Sequence, residues 1–312
     1  FLNQLKRHLE ITYKPLERFL GLQIVRTERS LYIHQESYTK DILERFQMSS
    51  SKPVATPLER DIYNDDDTEP VDLPFRELCG SLMFLVQGSR PDLSFSVSWL
   101  SRHLEKPTKK VGAFGNRVLR YLNGTRRYEI TYTKDQDDNL SYYSDSDYAA
   151  DPVTRRSVSG TVVIGNGGAI YWQSIRQKSV SLSPAEAELQ ALALTTQTAV
   201  LFDRLQNELG YSSTPQVFSD NQATIKLISD NQYHKRTKHI DVKFFFVREL
   251  VEDGKLKVGF VPSEGNGADI CTKPFAKPTF QKLRTMVGVQ EIPRSKENIP
   301  NSNSNSLKFQ AS

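Results

Sequence analysis

The sequence predicts a mixed α/β layer fold for its second half, and three observations carry that prediction. From Tyr128 onward, short apolar strand patterns replace the helical periodicity before them. A long helix pattern then opens at Ser183-Pro184, and strand and helix patterns alternate from there to about residue 289. Taken in order, FLGLQIVRTERSLYIH (19–34) reads as two alternating strands joined by the polar TERS, and YTKDILERFQM (38–48) has apolar residues at helical spacing. Residues 49–72 turn to Ser, Pro and acid; they are too polar to pack and read as a linker or long loop. Three helical patterns follow, FRELCGSLMFLVQG, DLSFSVSWLSRHLEKP and KKVGAFGNRVLRYLNGT, the last stopping at Gly124. The strands YEITYT, LSYYSD, VSGTVVIGN, GAIYWQS and KSVSLS come next, with a turn at Gly165-Asn166-Gly167-Gly168. After the helix from Pro184 to about Leu209, QVFSD is a strand and NQATIKLISD a helix. HIDVKFFFVRELVEDG is a helix with Ile240, Phe244, Val247 and Val251 on one face; KLKVGFVPS is a strand and GADICTKPF a helix start. The Ser- and Asn-rich tail predicts disorder.

A chain of 312 residues is long enough for two domains. Its formal charge of +4 is spread among interspersed acids and bases, so any nucleic-acid site has to be local. Cys79 and Cys271 lie far apart, implying neither a disulfide framework nor a zinc site, and a reducing intracellular setting is expected. No apolar run approaches the roughly 18 residues of a membrane span, and no membrane association is expected. The opening on Phe1, inside structured-looking sequence, predicts a piece of a longer product.

Two strand patterns deliver an aspartate where the strand ends: Asp145 after LSYYS and Asp220 after QVFS. In open α/β folds the crevice beyond strand ends collects ligands. Asp147 and Asp151 follow Asp145 closely and fit turn or surface roles, Asp151 preceding Pro152. In SLSPAEAELQALAL, Ser183 is a good N-cap, Pro184 suits the first helical position and Glu186 completes a capping box. Glu188 has no such explanation: it lies at the margin of the apolar face, where a carboxylate needs a partner. Asp269, near a helix start, reads alone as a dipole partner. Four converging acids repel one another, each close pair by about 4 kcal/mol at 4 Å and an effective dielectric near 20. Cations have to neutralise such a cluster, and hard oxygen ligands favour Mg2+ or Mn2+. Two such ions roughly 3.5–4 Å apart clamp the attacking water and leaving oxygen of a phosphodiester.

The segments YSDSDYAADPVTRRSVSGTVV, SLSPAEAELQAL, SDNQATIKLI, HKRTKHIDVKFFFVRELVEDG and VPSEGNGADICTKP, in that order, resemble the ribonuclease H domain of copia-type LTR retrotransposon polyproteins, over about Leu140 to Val289. Upstream, FLGLQIVR, YTKDILERFQM, KPVATPL, LCGSLMFLVQGSRPDLSFSVSWLSRHLEKPT and VLRYLNGT are similar to the end of the reverse transcriptase and its connection to that nuclease. The resemblance implies a ribonuclease H-like fold, a five-stranded mixed sheet with helices, behind an incomplete and mostly helical thumb and connection region. It divides the chain into a reverse-transcriptase remnant (1–58), an acidic linker (59–73), a helical connection (74–135), the nuclease (139–289) and a tail (290–312).

It further implies that Asp145, Glu188, Asp220 and Asp269 form a catalytic metal-binding quartet, with two Mg2+ ions replaceable by Mn2+. The implied activity is cleavage of the RNA strand of RNA:DNA hybrids. The implied partners are the hybrid and the absent polymerase portion, and the implied location is the cytoplasm, in virus-like particles, and the nucleus. Where cellular members of the fold carry a histidine, this chain has Ser263-Glu264-Gly265-Asn266-Gly267, which leaves a histidine-assisted step unsupported and predicts slow turnover. IYNDDD (62–67) matches the polymerase Tyr-x-Asp-Asp pattern by accident, inside an acidic loop without flanking strands, and no polymerisation is expected.

Phosphate contacts are the main demand of a hybrid duplex. His234, Lys235, Arg236 and Lys238 form the densest basic patch of the nuclease half; charge alone reads equally as a solvated helix start, and the resemblance favours phosphate binding. Arg155 and Arg156 are a second candidate. Asn221 suits a backbone contact to the substrate and helix capping equally. Tyr171, Trp172 and Phe244 to Phe246 read as core. The competing readings are an inactive relic that folds and binds nucleic acid, and a transposase or integrase, the latter disfavoured because the acid series ends in Asp269.

Overall fold

In the computed structural model, which describes residues 6–10, 16–63, 68–136, 139–229 and 241–291, the strands gather into two five-stranded sheets. The first begins with β1 (Arg18–Phe19), β2 (Leu22–Arg26) and β3 (Ser30–His34). β2 and β3 form the expected hairpin, in register from Gln23↔His34 to Arg26↔Leu31. Helices α1 (Glu36–Arg45), α2 (Phe75–Gly88), α3 (Ser94–Ser101) and α4 (Lys109–Gly124) follow. The stretch expected to be too polar to pack contributes two core side chains, Leu58 and Ile62, both almost fully buried. Its acids and prolines dominate the composition, but an apolar residue every few positions suffices to anchor a loop.

YEITYT is β4 (Tyr128–Thr133), and it does not join the strands that follow it in sequence. It pairs antiparallel with β3 on one side and with β10 (Val289–Glu291) on the other. Gln290 and Glu291, expected at the head of the tail, therefore belong to a strand. Local periodicity identifies a strand and carries no information about a partner more than a hundred residues away.

The second sheet contains β5 (Ser141–Asp147), β6 (Val158–Gly165), β7 (Gly168–Arg176), β8 (Gln216–Ser219) and β9 (Lys257–Phe260), in the order β7-β6-β5-β8-β9. β5, β6 and β7 form an antiparallel meander, while β8 runs parallel to β5 and β9 parallel to β8. With α5 (Pro184–Glu208), α6 (Gln222–Ser229) and α7 (Asp241–Glu252), this is the ribonuclease H-like fold. KSVSLS is irregular rather than a strand. Its polar groups bond to side chains instead of a ladder: Ser181 Oγ donates to Gln177 Oε1 at 2.9 Å, and Gln177 Nε2 donates to Ser159 Oγ and the Ala187 carbonyl. GADICTKPF is also not one helix. A 3-10 turn, Gly267–Cys271, stops before Pro274, and α8 (Lys277–Met286) starts afresh, since proline disfavours helical geometry in the residue before it.

Alternating side chains give the second sheet two apolar faces. Tyr142, Val163 and Val217 pack with Leu189, Leu192, Phe244 and Val247 of α5 and α7. Phe245, expected in the core, is 46% exposed. Val158, Val162 and Ala169 face the other way and share a core with Leu78, Leu82, Val97, Trp99 and Val118 of the helical layer. Trp172 Nε1 donates to the Val86 carbonyl at 2.7 Å across that junction.

A buried ion network sits at the same junction. Arg90 binds Asp92 through Nε and Nη2 at 2.9 and 2.8 Å and reaches Thr125, Tyr121 OH donates to Asp92 Oδ2 at 2.6 Å, and Arg284 of α8 donates to the Tyr121 oxygen.

Glu129 on β4 is fully buried, and neither carboxylate oxygen has a hydrogen-bond partner. Burial pushes its pKa from 4.5 up to about 8. The folded state thus keeps a proton that the unfolded chain releases, so the group costs no ionisation energy below about pH 4.5, and stability falls as pH rises from there towards about 8. Glu129→Gln is expected to raise stability at pH 8 by on the order of 4 kcal/mol, from about 1.4 kcal/mol per pKa unit, and to leave it almost unchanged at pH 4. Urea unfolding at both pH values checks this.

Candidate active site

Two parallel neighbours bring the first pair of acids together. β5 and β8 run in register Tyr142↔Val217 and Tyr143↔Phe218, so continuing by two residues sets Asp145 beside Asp220. Glu188 approaches from α5. Ser183 caps that helix by accepting the Glu186 N–H at 3.2 Å, and Glu186 Oε2 reaches back to the Leu182 N–H at 2.7 Å. Glu186 is thereby occupied in the cap, while Glu188, half a turn on, points at the strand ends. Asp145, Glu188 and Asp220 each offer one carboxylate oxygen, and the three atoms lie within 4.8 Å of one another.

Burial and mutual repulsion govern this cluster. Asp145 is 2% exposed and its pKa is raised, by burial first, with Lys273 acting against the shift and Asp269 adding to it. Glu188 is raised by burial and then by the charge of Asp145. Glu188 Oε2 is buried without a hydrogen-bond partner. An all-oxygen donor set with an unpartnered lone pair fits a hard divalent cation such as Mg2+ or Mn2+.

Asp269 does not share the triad's common focus, although its carboxyl group meets that of Asp145. It lies on the 3-10 turn, which is brought against the sheet in two ways. Asn266 Nδ2 donates to the Ser144 carbonyl at 2.9 Å. Gly160, paired with Asp145 across β5 and β6, leaves room for the Ala268 carbonyl, which would lie 2.6 Å from any Cβ there. Lys273 Nζ then contacts Asp269 Oδ1 at 2.7 Å and stands 3.9 Å from Asp145 Oδ2. Thr272 Oγ1 donates to the same Asp145 oxygen at 2.5 Å, and Ser263 Oγ donates to Asp220 Oδ2 at 2.6 Å.

Sequence reasoning gave Lys273 and Thr272 no role, and met Ser263 and Asn266 only as part of the loop that lacks a histidine. The four-residue spacing of Asp269 and Lys273, and a glycine inside the apolar run VSGTVV, were the available signals.

Asp147 ends β5 half-buried, its pKa pushed up to about 6 by burial. Asp151 Oδ1 accepts the N–H groups of Val153 and Thr154, and its Oδ2 pairs with Arg176, as a turn residue would. Asn221 Oδ1 accepts the Thr224 N–H at 2.9 Å, so the capping role is filled. Arg155 and Arg156 lie in the loop after β5, at the sheet end that carries the acids. His234, Lys235, Arg236 and Lys238 lie outside the described residues.

No protein-family model matches the chain. It is 37% identical over 287 residues to the retrovirus-related Pol polyprotein from transposon TNT 1-94 of Nicotiana tabacum, covering 88% of this chain and 22% of that protein. The Pol polyprotein from transposon RE2 of Arabidopsis thaliana is 34% identical over 288 residues, covering 91% and 20%. The chain thus spans about a fifth of the length of these curated relatives. Among solved structures, a ribonuclease H1 isolated from compost by a metagenomic approach is 16% identical with a TM-score of 0.36, covering 43% of this chain and 93% of its own. The relatives extend across both sheets and the helical layer: the chain belongs to the retrovirus-related Pol polyproteins of copia-type retrotransposons.

Proposed function

We propose that the chain is a divalent-metal-dependent endonuclease that hydrolyses the RNA strand of RNA:DNA hybrids. The observation that carries this reading is the convergence of Asp145, Glu188 and Asp220 within 4.8 Å at the parallel-strand edge, with Asp269 on the adjoining turn. These four residues would hold two Mg2+ ions, for which Mn2+ can substitute. When bound, such ions supply an activated water and neutralise charge on the leaving oxygen. The protein's part is to keep the carboxylates aimed. Thr272 fixes one oxygen of Asp145, Ser263 fixes one of Asp220, and the buried stem of α5 presents Glu188.

Phosphates of the hybrid would meet Arg155 and Arg156 and the basic segment His234 to Lys238, with Asn221 beside them. Residues 74–135 would serve as the connection and 139–289 as the nuclease of a longer polyprotein, working with its polymerase portion in cytoplasmic virus-like particles and in the nucleus.

The test is cleavage of a labelled hybrid in Mg2+ by the protein and by Asp220→Asn. Loss of a metal ligand is expected to lower the rate by at least roughly 100-fold, more than the effect of residues that only support ligands. Equal cleavage by both proteins would expose a contaminant and favour an inactive relic.

A further inference from the structure

We infer that Lys273 is the resident cation of this site in the free protein, its ammonium group taking the place between Asp145 and Asp269 that a second divalent ion would occupy. On this assignment the free protein binds one ion tightly, at Asp145, Glu188 and Asp220, and a second enters only by displacing Lys273. The inference rests on the metal reading above and deepens it.

The geometry divides the acids into two groups. Three carboxylates share a focus within 4.8 Å, and the fourth does not belong to it. Asp269 Oδ1 is instead 2.7 Å from Lys273 Nζ, an ion pair without hydrogen-bond alignment. The same ammonium stands 3.9 Å from Asp145 Oδ2, so it bridges the two carboxylates as a shared cation would. Asp145 Oδ2 also takes the Thr272 hydroxyl at 2.5 Å, so Thr272 and Lys273, neighbours in the chain, meet the same oxygen.

The charges permit the exchange. Four carboxylates, one divalent ion and one ammonium sum to −1, and replacing the ammonium by a second divalent ion brings the sum to zero. A point charge on a flexible stem suits an exchangeable position. The Lys273 side chain is 35% exposed, so the ammonium can reach solvent, and its Nζ also lies 5.5 Å from the centroid of the Phe275 ring. The exchange has a functional consequence: the complete two-ion arrangement forms when Lys273 leaves, so the free protein is held one cation short of it.

The test is a Mn2+ titration of the full chain without nucleic acid, with free Mn2+ counted by electron paramagnetic resonance. The wild type is expected to bind one ion tightly. Lys273→Met and Lys273→Gln, two neutral side chains of similar length, are expected to bind two, the second at least tenfold more tightly than in the wild type; Lys273→Arg is expected to return to one. Thermal unfolding of each variant identifies any that fails to fold, and either neutral variant suffices. Two equivalent ions in the wild type, or one ion in a folded neutral variant, would overturn the inference while leaving the metal reading intact. No Mn2+ bound by the wild type would overturn both.

Discussion

Glu188→Gln is expected to abolish hybrid cleavage, by roughly a thousandfold or more, about 4 kcal/mol of transition-state stabilisation. The amide has nearly the shape of the carboxylate and removes only the charge and one acceptor. The fold gains little from that charge: Oε2 has no hydrogen-bond partner, and burial together with Asp145 outweighs the hydrogen bonding of Ser146 that favours ionisation. Its removal should therefore leave stability unchanged or improved. Glu186→Gln gives the opposite pattern. That carboxylate holds the Leu182 N–H at the start of α5, so its loss should cost about 1 kcal/mol of stability and little activity. Parallel cleavage and urea-unfolding measurements on the two variants, two residues apart on one helix, decide the assignment. An inactive Glu186→Gln beside a fully active Glu188→Gln would reverse it.

The largest effect on stability is expected from Asp92→Ala, a loss of about 3–5 kcal/mol, because removing one partner leaves a fully buried guanidinium uncompensated. Arg90 makes two bonds to Asp92, and both side chains are almost completely excluded from solvent. Tyr121 and, through it, Arg284 of α8 depend on the same carboxylate. Replacing the pair together, Arg90→Met with Asp92→Leu, should recover most of the loss, since the cost lies in the orphaned charge. Denaturant unfolding of the single and double variants measures both. A double variant as unstable as the single one would mean that the network matters for its shape rather than its charge.

How much could be read beforehand depended on whether the signal was local. Asp145 and Asp220 stand where apolar alternation stops, and Glu188 is separated from Glu186 by helix-cap arithmetic; both clues lie within a few residues. The hairpin of β2 and β3 and the apolar face of α7 at Phe244 and Val247 were legible for the same reason. Other features depend on contacts that no window contains. β4 pairs with a distant β3 on one side and with a strand beginning at Val289 on the other, and Leu58 and Ile62 find their core among helices that start later in the chain. KSVSLS has strand-like composition, but Ser181 bonds to Gln177 and Ser183 caps α5, which satisfies both hydroxyls more locally than a ladder would. Lys273 was hidden because its significance comes from a turn, and the turn is placed by a glycine on another strand.

The pairing of β4 with β10 bears on how the chain acquires its shape during synthesis. Val289 to Glu291 dock beside Tyr128 to Ile130, so the ribosome has to deliver almost every described residue before the first sheet can gain its last member. Until then β4 presents a free edge to solvent, the kind of surface that recruits stray strands. Released chains that end before residue 289 should therefore be more prone to aggregate than chains that include Val289 to Glu291.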